Sequence, residues 1–304
     1  MMGVTAGIPP HVIAAVLGAA LLHATWNALV KGRAGQGDPL LSTVLVVGGG
    51  ALVSALLLPW MAAPQPASWP FIAASSITQT AYYLLLIGAY RSGEMSHAYP
   101  LMRGTAPLLV ALLNGALTGE RLRGGQWLAV FLICGGVLAM VAAMRAAGLQ
   151  PNLRPDMPAD AHARQRRATG FALATACVIA LYTMIDGAGV RRSGAPAAYT
   201  MWIFLLNGTA VVAWAARSHA RALAGVARAR PALLLVGGVS TVGSYGIALW
   251  AMTLAPVAAI AALRETSILF ATAIAALFLR ERVGRARWLA VAMIACGAVA
   301  MRLA

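Results

Sequence analysis

The stretch GERLRGGQWLAVFLICGGVLAM (119–140) aligns without a gap onto RERVGRARWLAVAMIACGAVAM (280–301), 161 positions further on. Shared apolar letters alone would be weak evidence, because any two lipid-facing segments have them in common. Here the matched positions include Glu120 with Glu281, Arg121 with Arg282 and Trp127 with Trp288. Carried upstream, the same offset sets Arg103 on Arg264 and Thr105 on Thr266. Across 98–140 against 259–301 there are 14 identities in 43 positions. Shared hydrophobicity does not align charged residues, so the chain is an internal duplication.

The composition says where such a chain lives. Of 304 residues, 61% are hydrophobic and 10% charged, with a mean hydropathy of +0.78. Soluble domains carry about 25% charged residues, so these values indicate a membrane protein. Apolar runs of about 20 residues, enough to cross roughly 30 Å of hydrocarbon, are expected at 10–30, 40–59, 70–91, 96–118, 125–144, 168–190, 197–216, 231–254, 256–279 and 286–303. The longest polar interruption, RAAGLQPNLRPDMPADAHARQRR (145–167), falls at the midpoint. The expected architecture is therefore an all-α integral membrane protein of ten transmembrane helices: a first repeat over 1–144, a cytoplasmic linker over 145–167 and a second repeat over 168–304. Each repeat has an odd number of helices, so the second enters the membrane upside down. Inverted repeats are a mark of secondary transporters, whose binding site lies near the midplane where the repeats meet.

The net charge of +15, from 23 Lys+Arg against 8 Asp+Glu, would suggest nucleic acid in a soluble protein. Its distribution argues otherwise. With the N-terminus outside, the inside loops 31–39, 91–95, 145–167, 217–230 and 280–287 carry 16 Lys/Arg, while the opposite side carries 5. The remaining two are Arg103 and Arg264. The excess is a topology signal, both termini are expected outside, and no nucleic-acid role is expected. The N-terminus lacks the basic segment of a cleaved leader, so the first helix is expected to be retained. Cys134, Cys177 and Cys296 all fall in apolar runs without CxxC spacing, and read as free, buried thiols.

Four ionisable side chains fall deep in the apolar runs: Arg103, Arg264, Glu265 and Asp186, two of each sign. A charge at that depth costs at least about 2.5–3.5 kcal/mol, so it marks a pathway, a pair or a ligand site. Arg103 and Arg264 each lie eight positions from their equivalent helix starts, Met95 and Pro256, or about 12 Å at 1.5 Å per residue. Both therefore approach the midplane, where their planar forks suit a carboxylate, phosphate or phosphonate. Glu265 points about 100° away from its neighbour Arg264 and is expected to reach another helix. Around them, helical spacing aligns polar residues into stripes: His23, Trp26 and Asn27; Gln79, Tyr82 and Tyr83; Tyr99 with Arg103; Tyr182 with Asp186; Thr241, Ser244 and Tyr245. Such stripes avoid lipid, which cannot satisfy their polar atoms. The candidate substrate-binding set is Arg103, Arg264, Glu265, Asp186, His23, Trp26, Asn27, Tyr82, Tyr83, Tyr99, Tyr182 and Tyr245. Closed ion pairs that only hold the bundle are the competing account of the four charges. Glu120 and Glu281 read as capping or arginine-pairing groups, and Gly48–Gly50 with Gly237–Gly238 as close helix contacts.

Gly119-Glu120-Arg121 with Trp127 and Gly136, and Glu281-Arg282 with Trp288 and Gly297, resemble the segments that end each half of EamA-like members of the drug/metabolite transporter superfamily. The resemblance implies a ten-helix secondary transporter, of a family whose substrates range over amino acids, metabolites, nucleotide sugars and drugs. With the buried arginines, an exporter of a small polar or anionic metabolite such as an amino acid or organic acid is expected. The charges in YPLMRG (99–104) and LRETS (263–267) depart from the family pattern and argue against a purely hydrophobic drug as substrate. No Walker A motif is present, and no cofactor is expected; coupling to protons through Asp186, Glu265 or His23 is left open. The expected partners are the substrate and the lipid bilayer, with the protein a monomer or homodimer in a bacterial-type cytoplasmic membrane. An intramembrane enzyme is the alternative, disfavoured by the lack of GxSxG and HExxH; a non-transporting structural membrane protein would have little need of inverted repeats bearing matched buried arginines.

Overall fold

The computed structural model describes residues 8–31, 39–92, 95–146, 159–277 and 284–304. Over these it consists of eleven α-helices and two short 3-10 turns: α1 Pro10–Lys31, α2 Pro39–Leu57, α3 Trp69–Ser92, α4 Met95–Thr118, α5 Gly124–Ala146, α6 Ala159–Ser193, α7 Pro196–Ala229, α8 Pro231–Met252, α9 Val257–Arg264, α10 Ser267–Leu277 and α11 Arg285–Leu303. Helices are the expected outcome in an apolar medium, where each backbone group needs a partner within its own segment. Proline opens α1, α2, α7 and α8, a position where its missing N–H costs nothing. Gly119 and Gly194, at φ +74° and +63°, end α4 and α6 in the left-handed region.

Six segments are long and apolar enough to cross a membrane by length and composition: 40–60, 166–193, 196–229, 231–252, 257–274 and 285–303. Gly124–Met140 is a shorter apolar helix. Leucines, valines and phenylalanines such as Leu112, Phe131, Leu235 and Leu289 are exposed around the outside, an apolar rim suited to lipid. The protein is a multi-pass membrane protein.

Helix contacts come in exchanged pairs. Under the 161-residue offset, α3 corresponds to α8 and α1 to α6; α3 packs on α6, and α8 packs on α1. Likewise α4 lies on α6, while α1 meets α9 and α10. The helices that match each other also touch: α5 with α11, α2 with α7, α4 with α9. This is the contact pattern of a pseudo-two-fold axis between the halves. At the α2–α8 crossing the backbones meet directly. A Cβ on Gly49 would lie 1.9 Å from the Leu234 carbonyl oxygen, and one on Gly238 would lie 2.4 Å from the Gly49 carbonyl carbon.

Several expectations need correction. The ninth span is not continuous: α9 stops at Arg264 and α10 starts at Ser267. The amides of Glu265 and Thr266 bond carbonyls three residues back, at 2.9 and 3.0 Å, and the Thr266 hydroxyl takes the Leu263 carbonyl at 2.7 Å. A tightened turn with a side chain competing for a backbone carbonyl ends the α-helix there. α4 runs unbroken through Pro100 and Pro107, and Pro256 precedes α9 as its N-cap. The 217–230 stretch is helical, a continuation of α7 past a kink at His219. α6 begins inside the 145–167 stretch, whose 147–158 lies outside the described residues. Cys134 is buried, but Cys177 and Cys296 are exposed, since an apolar run in a membrane protein has an outer face as well as an inner one. Glu281 and Arg282 also lie outside the described residues.

Candidate functional site

Where the halves meet, a cavity of about 100 Å³ opens among α1–α4 and α6–α9. At roughly 10–15 Å³ per water-sized occupant, it has room for about seven to ten non-hydrogen atoms. His23, Trp26 and Asn27 of α1 line it, as do Tyr82 and Tyr83 of α3 and Tyr99 and Arg103 of α4. From the second half come Tyr182 of α6, Tyr245 of α8 and Arg264 of α9. The repeat-equivalent arginines thus reach one cavity from opposite halves.

The two carboxylates of the candidate set stand behind this wall. Glu265, at the break between α9 and α10, accepts a hydrogen bond from Arg103 Nε at 2.9 Å, and both side chains are buried. Asp186 is fully buried and has no cationic partner among the described residues; it accepts from Gln79 Nε2 and Tyr199 Oη, each at 3.1 Å, and from Tyr245 Oη. Gln79 in turn accepts from Asn207 Nδ2 at 3.0 Å. The expected balance of two arginines against two carboxylates therefore becomes one pair plus two separate groups. Asp186 faces tyrosines because its own face of α6 packs on α3 and α8, away from α4 and α9.

Arg264 makes no ion pair among the described residues. Its guanidinium lies over the Tyr245 ring, 4.9 Å from the centroid, a cation–π contact that holds the head in place while leaving its N–H groups available. Two buried donors on lining residues, Arg103 Nη2 and Trp26 Nε1, have no hydrogen-bond partner among the described residues. Each such group costs about 1–3 kcal/mol, more when charged, a cost that a bound acceptor would remove. His23 packs edge-on to Trp26 at 5.3 Å, its Nε2 is 3.5 Å from Tyr99 Oη, and Asn27 Nδ2 donates to the His23 carbonyl at 2.7 Å.

Outside the cavity, Glu120 both pairs and caps. It binds Arg191 Nη1, and its Oε2 accepts from the Val257 amide at 3.1 Å, at the start of α9. A carboxylate there satisfies an orphan N–H and complements the helix dipole. Arg191 also donates to the carbonyls of Met252 and Ala255, at 2.8 and 3.0 Å. The α8–α9 connection is thereby tied to α6 and to the α4–α5 loop.

The EamA-like transporter family matches residues 11–142 and 167–303, once in each half. The chain belongs to the EamA-like transporter family. That makes it a membrane transporter of the drug/metabolite superfamily. A solved crystal structure is similar to this EamA-like chain at 19% identity over 96% of both chains, with a TM-score of 0.72; at that identity the likeness shows the fold alone. No curated protein matches the chain. Within the EamA-like fold, the lining residues that the candidate set lacks are Gln79, Thr241 and Ser244, which belong to the polar stripes, and Thr43, Val46, Val47, Leu86 and Phe204. Thr43 lies beside Ser42 near the start of α2, and this polar pair is the sequence signal for that helix.

Proposed function

We infer that this protein is a secondary transporter that exports a small polar or anionic metabolite, an amino acid or organic acid, across a bacterial-type cytoplasmic membrane. The two halves form inverted five-helix repeats, with both termini outside, that rock about the shared cavity so that it opens to each side in turn. One observation carries this reading: Arg264, without a carboxylate partner among the described residues, is held on Tyr245 in a cavity between the halves. A half-buried guanidinium with free N–H groups is a site for an anionic group. The break at Glu265–Thr266 supports it, since discontinuous helices line transporter sites. For coupling to protons, Asp186 is the better candidate than Glu265. It can take a proton without breaking an ion pair.

Reconstitution into proteoliposomes with a panel of labelled amino acids and organic acids tests the reading. The expected result is saturable transport of an anionic or zwitterionic member that Arg264→Gln abolishes while remaining folded and inserted. Transport unchanged in that variant removes Arg264 from the site, and product formation without transport favours an enzyme.

A further inference from the structure

Among the described residues, the charged groups on the cavity wall have one sign. Arg264 and Arg103 reach it, whereas Glu265 and Asp186 lie behind it, on the Nε of Arg103 and the hydroxyls of Tyr199 and Tyr245. The two donors without partners, Arg103 Nη2 and Trp26 Nε1, can only donate, so a ligand that satisfies them must bring acceptors. Two of the aromatic rings on the wall already carry a cation. The Arg264 guanidinium lies 4.9 Å from the Tyr245 centroid, and that of Arg103 lies 6.0 Å from the Tyr99 centroid. An ammonium group in this space would meet two guanidiniums and no carboxylate. The hydroxyls of Thr241 and Ser244 on the same wall serve a carbonyl oxygen as readily, because a hydroxyl both donates and accepts.

Building on the transport reading above, we propose that the substrate is a small monocarboxylate without an ammonium group, of the 2-oxo or 2-hydroxy acid class, and that the amino acid of the same skeleton is rejected. One negative charge suits the site because Glu265 already neutralises Arg103, which leaves one unpaired guanidinium. The carboxylate takes Arg264, and the 2-oxygen accepts from the Thr241 or Ser244 hydroxyl on the same wall. The cavity, at about 100 Å³, holds roughly seven to ten non-hydrogen atoms, the size of a short branched acid.

The test uses purified full-length protein and two probes with the same carbon skeleton and equal size, 2-oxoisovalerate and valine, with methylphosphonate as a third. The expected result is a Kd for 2-oxoisovalerate at least roughly tenfold below that for valine, a gap that a single misplaced charge can supply, and its loss in Arg264→Gln. The wild-type comparison stands even where that variant is unstable. Valine within threefold of 2-oxoisovalerate, or tighter, overturns the proposal while leaving the transport reading in place. Methylphosphonate binding through Arg264, with neither carboxylate binding, does the same. If none of the three binds in an Arg264-dependent way, both readings fall.

Discussion

Arg103 and Glu265, 162 positions apart in the chain, meet through a 2.9 Å contact between Nε and Oε2. It joins α4 to the point where α9 gives way to α10. Removing one partner of a buried pair leaves the other charge uncompensated, at a cost of about 3–5 kcal/mol. We expect Arg103→Gln to lower the melting temperature sharply and Arg103→Gln/Glu265→Gln to restore most of it. Thermal denaturation in one detergent measures both. A double variant as unstable as the single one means the pair is not the source of the loss.

Asp186 has tyrosine and glutamine partners and no cation. Asp186→Asn keeps the size and one acceptor oxygen but cannot exchange a proton. The expected outcome is loss of accumulation driven by a pH gradient, with counterflow exchange at equal pH retained. Gradient-driven uptake that survives in Asp186→Asn clears this residue of a coupling role.

Gly49 permits the closest approach in the bundle, a Cβ there falling 1.9 Å from the Leu234 carbonyl oxygen. Backbone cannot step aside as a side chain tip can, so Gly49→Ala should cost at least about 1–3 kcal/mol. Gly18, with nothing within 4 Å of its Cβ position, is the control. Gly18→Ala should be neutral or gain up to about 1 kcal/mol from helix propensity. Equal stability of the two variants would contradict the crossing of α2 and α8.

Orientation can be read with thiol chemistry. In a background with the native cysteines replaced, Ala63→Cys on the α2–α3 connection should label with a membrane-impermeant reagent in intact cells. Ala224→Cys, beyond the kink in α7, should label only after permeabilisation. Both positions are exposed, so a reversed pattern would turn the protein over in the membrane.

Much of this was legible in the chain because membrane insertion punishes misplaced charge. The offset that aligns Arg103 with Arg264 pointed to two related halves, and the tyrosine stripes pointed to one interior. Partner choice was not legible. Helical spacing gives Asp186 a direction along α6, but whether it finds an arginine or Tyr245 depends on how α3, α6 and α8 are packed. The break at Glu265–Thr266 was hidden for a related reason: it rests on a threonine hydroxyl and tightened backbone bonds, and neither glycine nor proline marks it. Apolar lining such as Val47 and Phe204 cannot be told from lipid-facing side chains without the neighbouring helices.

Glu265 corresponds, under the offset, to Gly104, where a Cβ would meet Leu138 Cγ at 2.8 Å. One half therefore contributes a carboxylate for which the other has neither a counterpart nor the space. In a rocking transporter with identical halves, the inward-open and outward-open forms would be the same structure viewed from opposite ends, and equally populated. The unmatched Glu265 removes that degeneracy. In such a transporter, an energy difference of only about 1.4 kcal/mol would hold ten empty molecules facing one way for each facing the other.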